Sequence, residues 1–307
     1  MAQICRNASF APNLYPAANP FFTDPMTLEL KPHMDDALKV ALAKSVGPSD
    51  GVGRALEIGG PTPYLGKLIY DKMATGAIDN VVRPLVDSYE IEAFKQRGGF
   101  AESCVEGDGE QCAVYTQPYM LNDVSLGTQH FAHGAELPFE DETYAFVMSS
   151  HNLEHYPNPL KALLEWDRIL KPGGYMFLNL PDPRYTYDWK RKVSDMSELI
   201  KCFHAEAVMD EDRAFDYLVK DRIEGILSIS TYNSLMDNKV DEKEAEDMWR
   251  SRVGNDRGDD SWIDKFHWHV YDPSLVEELY GCLGYEVKGM DLVAPYHMMS
   301  IARKPSL

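Results

Sequence analysis

The sequence predicts a doubly wound α/β fold, a mostly parallel sheet covered by helices on both faces. Three observations carry this. Tyr144-Ala-Phe-Val-Met148 is an apolar run without polar alternation, as in a strand buried on both faces. From Glu136 to Asp182 the chain reads strand, polar loop, helix, Gly turn, strand, which is a crossover unit. Upstream, Ala55-Leu-Glu-Ile58, Gly59-Gly60 and Leu65 to Met73 read as strand, Gly turn and helix, a geometry that cradles nucleotides.

The chain before the first strand has two parts. Residues 1–32 hold Pro12, Pro16, Pro20, Pro25 and Pro32, which break any periodicity, yet Phe10, Tyr15, Phe21 and Phe22 lie among them. An arm packed on the body and a loose terminus with docked rings both fit. Asp35 to Lys44 is an amphipathic helix with acidic residues at its start. After the Gly turn, Asn80 to Asp87 reads as a second strand interrupted by Pro84. Residues 91–117 suggest a helix start and a Gly/Glu-rich loop without assignable chemistry.

The central unit carries most of the chemistry. Ser149-Ser-His-Asn152 is a polar break at a strand's carboxyl end, where open parallel sheets bind ligands. Asn158 and Pro159 signal a helix start. Its apolar face is Leu160, Leu163, Leu164, Ile169 and Leu170, and Pro172-Gly173-Gly174 is its stop. Tyr175 to Leu180 is the next strand. His151-Asn-Leu-Glu-His155 fits HxxEH, a zinc-peptidase string that needs one helix to present both histidines. A strand end before it and Pro157 and Pro159 after it leave no such helix, so no metal is expected.

The stretch Leu137 to His155, followed by Asn158 to Asp182, resembles the central half of class I S-adenosylmethionine (SAM) dependent methyltransferases, in the type 11-like branch that acts on small molecules. The Leu-Pro-Phe of 137–139, Leu-Glu-His of 153–155 and Leu-Lys-Pro-Gly-Gly of 170–174 stand in family order and spacing. The resemblance implies a Rossmann-like sheet of seven strands closed by an antiparallel C-terminal pair, with SAM as cofactor. Around the first turn it implies cofactor contacts from Glu57, Gly59, Gly60 and Pro61, although Pro61 and Pro63 replace the usual later glycines and remove backbone donors. It places Asp87 on the ribose hydroxyls. His133 or Glu136, with the Gly134-Ala135 backbone, would meet the adenine. Ser149, Ser150 and His151 would line the site beneath the methyl group. His155 would either face the substrate or cap the next helix.

From residue 184 to 266 the chain departs from the family's short connection. It reads as three helical stretches, Asp195 to Ala207, Asp210 to Leu227 and Asp241 to Arg252. Residues 206–264 hold 17 Asp and Glu against 8 Lys and Arg. An insertion here is expected to form a lid that selects substrate and excludes water. Tyr64, Tyr185, Tyr187, Trp189, His204 and Trp268 are the candidate substrate contacts, with cation–π attraction available from the rings; packing within the lid is the plainer role for each. Phe266-His-Trp-His269 returns the chain to the core. Asp272-Pro273 caps a helix over Ser274 to Leu283, and Tyr285 to Val287 and His297 to Arg303 close the sheet. Four domains of sequence follow: an arm at 1–32, a cofactor-binding core at 33–183, an acidic helical lid at 184–266 and a core completion at 267–307.

Composition excludes several classes. The 307 residues carry 49 Asp and Glu against 30 Lys and Arg, a net charge of −19. Without a basic stripe, nucleic acid and anionic membranes are not expected partners. The five cysteines form no CxxC pair and read as free thiols in a reducing compartment. No signal-type segment or membrane-length apolar run is seen, so the expectation is a cytoplasmic protein of unspecified oligomeric state. The expected reaction is transfer of a methyl group from SAM to an O, N or S atom of a small molecule. His151, His155, His267 and His269 are the candidate catalytic groups, because an imidazole near neutral pKa can take a proton from a hydroxyl or amine. A methyltransferase-like binding or regulatory protein is the alternative. An NAD-dependent oxidoreductase would need Gly-x-Gly-x-x-Gly after the first strand, which Gly59-Gly-Pro-Thr-Pro-Tyr64 lacks.

Overall fold

The computed structural model describes residues 30–45, 53–62, 65, 68–72, 77–83, 116–121, 124–186, 188, 191–206, 243–244, 267–293 and 296–306. Most of the N-terminal arm and most of the acidic insertion, with the helices expected at 210–227 and 241–252, lie outside the described residues. So do Tyr64, Asp87, Tyr187 and Trp189.

Eight strands form one sheet: β1 (Ala55–Ile58), β2 (Ile78–Val82), β3 (Thr116–Leu121), β4 (Val124–Phe131), β5 (Tyr144–Ser150), β6 (Leu170–Pro181), β7 (Glu286–Val293) and β8 (His297–Arg303). Their order is β3-β4-β2-β1-β5-β6-β8-β7. The run from β4 through β6 is parallel, and β8 pairs antiparallel with both β6 and β7, as expected for the closing pair. Seven strands were expected; the eighth is β3, antiparallel to β4 at the sheet edge. Pro118 suits that edge, because it has no N–H to give a further neighbour.

Both faces of the sheet are covered, which is why the central strands are buried and largely apolar. On one face, α1 (Pro32–Ser45) sets Met34, Leu38 and Ala41 against Ala55, Phe146, Met148, Tyr175, Phe177 and Ile301. On the other face, α2 (Pro159–Ile169), α3 (Met196–His204) and α4 (Pro273–Leu283) pack against Leu56, Ile58, Val147, Met176, Leu178 and Leu180. Alternate residues of one strand thus feed two separate cores. At about 25 cal/mol per Å² of buried apolar area, these two layers supply the main stabilisation.

Local details sharpen several expectations. Asn158 caps α2 by accepting from the Lys161 amide at 3.1 Å, with Pro159 at the first position. The buried face of α2 is Leu160, Ala162, Leu163, Trp166 and Ile169; Leu164 is only half-buried, and Trp166 takes the central place. The helix ends at Ile169 and the strand begins at once at Leu170, so Pro172-Gly173-Gly174 falls inside β6 and is not the stop. The second strand spans Ile78–Val82, shifted from the expected 80–87. Within the expected helix 65–73, the described residues show a 3₁₀ turn at Tyr70–Lys72. Asp195 caps α3, which buries Met196 and Leu199 in the main core although it belongs to the 184–266 segment. Cys202 is a buried free thiol, whereas Cys282 is disulfide-bonded, against the free thiols expected throughout. No helix among the described residues is long and apolar enough to cross a membrane.

Candidate functional site

The carboxyl ends of β1, β2 and β5 meet at one edge of the sheet. There Gly59 leaves β1 with φ +86°, and a Cβ on it would lie 2.7 Å from the Asn152 side chain. Only glycine allows both that conformation and that approach. Glu57 is fully buried beneath the turn, where its Oε2 accepts from the Tyr70 hydroxyl at 2.6 Å and the Tyr119 hydroxyl at 2.5 Å. Burial, with Glu57 beside them, raises both phenols well above their ordinary pKa, so they remain donors. Glu57 therefore acts within the turn's foundation in this structure.

The turn's amides are occupied. Gly59 N–H donates to Val81 O at 2.8 Å, Gly60 N–H to Asn80 Oδ1 at 3.2 Å, and Thr62 N–H to the Tyr70 hydroxyl at 3.1 Å. Pro61 has no N–H. A ligand carboxylate thus finds no open backbone donor from residues 59–62, in part because Pro61 has no N–H.

The neighbouring loop holds the expected adenine contacts. Ala135 N–H donates to His133 Nδ1 at 3.2 Å, and the Trp166 indole donates to Gly134 O at 2.7 Å. A Cβ on Gly134 would sit 2.0 Å from the Tyr156 hydroxyl and 3.1 Å from Ile58 Cγ2, so this backbone is pressed against the end of β1. His133 and Glu136 are exposed, and Glu136 pairs with Lys161. Partial desolvation of its ring lowers the His133 pKa.

A cluster of imidazoles and carboxylates adjoins the same edge. Ser149 and Ser150 end β5 buried, and His151 then adopts φ +46°, turning the chain into a 3₁₀ turn at Leu153–His155. Glu154 is fully buried at its centre. Its Oε1 lies 3.7 Å from His151 Nδ1, 3.9 Å from His155 Nε2 and 3.8 Å from His267 Nε2. Trp268 N–H donates to Glu154 O at 2.8 Å and anchors the His267 segment here. His267 Nδ1 lies 2.6 Å from Asp188 Oδ2, and Arg191 Nη1 donates to Asp188 Oδ1 at 2.7 Å. His151 Nε2 lies 2.8 Å from His297 Nδ1, which also receives Asn179 Nδ2 at 3.3 Å.

Burial sets the charges in this cluster. It pushes Glu154 up to about 7, against the pull of His267. It drives His151 well below the ordinary imidazole range, reinforced by His297, His267 and His155, and takes His297 down to about 4. Burial also works against a charged His267, but Asp188 and Glu154 outweigh it and hold that pKa up. Asp188 is lowered in spite of its burial, through His267 and Arg191.

The structure therefore brings His151, His155 and His267 together. It sets His269 apart: Nε2 lies 3.2 Å from Pro157 O and Nδ1 3.4 Å from Ser194 Oγ, in a fully buried position. Trp268 is fully buried, His204 is exposed at the end of α3, and Tyr185 is half-buried under the Arg184 guanidinium. Sequence reasoning missed Glu154, Asp188 and His297 as members of the cluster. Glu154 stood inside a string read only for its histidines. Asp188 and His297 have no local signal, since each is placed by a partner more than a hundred or nearly eighty positions away.

Residues 89–178 match the methyltransferase domain family. That stretch, under a third of the chain, is similar to a methyltransferase domain. The matched segment takes in β3 to β5, α2 and most of β6; the Gly59 turn lies before it and His267 after it. A demethylmenaquinone methyltransferase of Bacillus cereus is 35% identical over 81 residues, 22% of this chain and 34% of its own length. The enzyme of the same name from Staphylococcus haemolyticus is 28% identical over 116 residues, 34% of this chain and 48% of its own. The chain thus spans less than half the length of these relatives. Among solved structures, a SAM-dependent methyltransferase of Methanosarcina mazei aligns over 91% of this chain and all of its own, at 14% identity and TM-score 0.38. The CurJ carbon methyltransferase aligns over 88% of this chain and 54% of its own, at 12% identity and TM-score 0.42.

Proposed function

We propose that the protein transfers the methyl group of SAM to an O, N or S atom of a small-molecule acceptor by in-line displacement. The methyl carbon–sulfur bond breaks as the carbon–heteroatom bond forms, and S-adenosylhomocysteine leaves. One observation carries the reading: the Gly59 turn, the 133–136 loop and the His151–Glu154–His155–His267 cluster converge on one sheet edge, beside the segment that matches the methyltransferase family. Gly59, Gly60 and the 133–136 backbone, with Ser149, Ser150 and His151, bound the space for the cofactor, and Asp87 is the proposed ribose partner beyond β2. Holding acceptor and methyl group in line contributes about 7–11 kcal/mol of the barrier.

For a hydroxyl or ammonium acceptor a proton must leave. The cluster around Glu154 is the place for it, and His155 is its most accessible imidazole, 27% exposed. His269 and Trp268 serve packing in this reading. Tyr185 and His204 remain the described candidates for the substrate side.

Calorimetric titration with SAM and S-adenosylhomocysteine tests the cofactor, and radiolabelled methyl transfer to a panel of phenols, hydroquinones, amines, acids and thioethers tests the reaction. Binding with transfer to one acceptor class is expected. Absence of SAM binding overturns the reading. Binding without transfer to any class replaces it with a methyltransferase-like binding protein, the alternative that the occupied amides of the first turn favour.

A further inference from the structure

We propose that Glu154, His155 and His267 form a binding site for a divalent cation of the zinc class. One ligand atom from each lies within 4.8 Å of the others. This is not the helical HxxEH arrangement, since a single 3₁₀ turn carries Leu153–His155 and the third ligand arrives 112 positions later in the chain. It revises the expectation that no metal binds here.

Three independent features point to a cation. Glu154 is fully buried, yet neither carboxylate oxygen has a geometric hydrogen-bond partner among the described residues. The backbone amides of Asn152 and Glu154 ease its charge, but no described side chain donates to it. A buried carboxylate with no side-chain donor is costly, and a cation removes that cost. Next, the orientation of His267 is fixed from behind. Its Nδ1 is held by Asp188 at 2.6 Å, which Arg191 holds in turn, so Nε2 faces Glu154. A carboxylate behind a histidine, presenting the other ring nitrogen to a common centre, is the arrangement that orients metal ligands. Finally, a route to solvent exists, because the side chains of His155 and His151 are 27% and 23% exposed.

The donor set chooses the ion. Two imidazole nitrogens and one carboxylate suit zinc, which leaves a fourth position open in such sites. Magnesium and calcium prefer all-oxygen shells. Ligands at about 2.1 Å from a tetrahedral ion stand roughly 3.4 Å apart. The Glu154 oxygen is now 3.9 Å from His155 Nε2 and 3.8 Å from His267 Nε2, about half an ångström beyond that spacing, and the two imidazole nitrogens, within 4.8 Å of each other, must close by up to about 1.4 Å.

The test uses the full-length, untagged chain and needs no methyl transfer, so it stands or falls apart from the proposed reaction. After stripping with a chelator, zinc is titrated in competition with a chromophoric chelator, and X-ray absorption reads the shell. About one equivalent of zinc is expected, with two imidazoles in its shell. Asp188→Asn is expected to weaken binding by about 10–100-fold through His267, and His155→Ala and His267→Ala at least as much. Circular dichroism checks that each variant is folded. His155→Ala, at a part-exposed position, keeps the test decisive where a buried variant fails to fold. Wild-type protein that binds no zinc, or a folded His155→Ala that binds it as tightly as wild type, overturns the proposal. Preference for magnesium over zinc overturns it as well.

Discussion

The indole of Trp166 donates to the carbonyl of Gly134 at 2.7 Å, so the centre of α2 is tied to the loop beside the first Gly turn. Trp166 is fully buried in the larger core. Trp166→Ala removes both roles and is expected to lower stability by about 3–5 kcal/mol. Trp166→Phe keeps most of the apolar volume but leaves Gly134 O without its donor, at about 1–3 kcal/mol. Urea unfolding of both variants checks this. A Trp166→Phe variant as stable as wild type would show that the hydrogen bond contributes nothing beyond packing.

Asp188 sits between the Arg191 guanidinium and the His267 imidazole, whose pKa it holds up. All three side chains are buried, with exposures of 2%, 4% and 7%. Removing the carboxylate leaves buried positive charge uncompensated, so Asp188→Ala is expected to cost about 3–5 kcal/mol. Asp188→Asn keeps the shape and is expected to fold. A thermal unfolding series reads both, and an alanine variant within about 1 kcal/mol of wild type would show that the triad is not holding this segment.

How much of this was legible in the sequence follows from range. The cap at Asn158, the cap at Asp272 and the run Tyr144 to Met148 are local signals, and the structure places an element at each. The strand Ala55–Ile58 and the Gly59 turn were legible for the same reason, since a positive φ and a close approach demand one residue type. β3 was not, because its strand character comes from pairing with β4, and its first residues fall in a segment read as a loop. Trp166 was passed over for Leu164, because the helix face turns toward Gly134, a contact 32 positions away. The cluster was half legible. HxxEH drew attention to His151 and His155, but a string read as a strand-end loop cannot show that Glu154 faces His267.

The acid stability of the fold depends on Glu165. Its carboxylate accepts from the Leu137 amide at 2.8 Å and takes both Arg168 Nε and Nη2, and the Arg168 hydrogen bonds hold its pKa down. A group depressed in the folded state adds stability above its unfolded value, near pH 4.3, and loses it as pH falls through the folded value. Glu165→Gln is therefore expected to be less stable than wild type at pH 7, with the gap narrowing steadily below about pH 4.3. Urea unfolding at stepped pH measures it. A gap that stays constant down to pH 3 would mean that the ionised carboxylate contributes nothing through Arg168.

Two glycines with opposite surroundings separate strain at the turn from loss of a small residue. A Cβ on Gly59 meets Asn152 at 2.7 Å, in a backbone of φ +86°. A Cβ on Gly281, inside α4, meets nothing within 4 Å. Gly281→Ala is expected to stabilise the helix by about 0.5–1 kcal/mol and to leave S-adenosylhomocysteine binding unchanged. Gly59→Ala must either force φ negative or push Asn152 and the 151–156 loop away. Either movement displaces the edge where the proposed cofactor site and the histidine cluster meet, so affinity is expected to fall at least tenfold, about 1.4 kcal/mol. Calorimetry on both variants, each checked for fold, makes the comparison. If Gly59→Ala binds like wild type while Gly281→Ala behaves as expected, the Gly59 turn does not form the cofactor's floor, and the ligand sits elsewhere on the sheet edge.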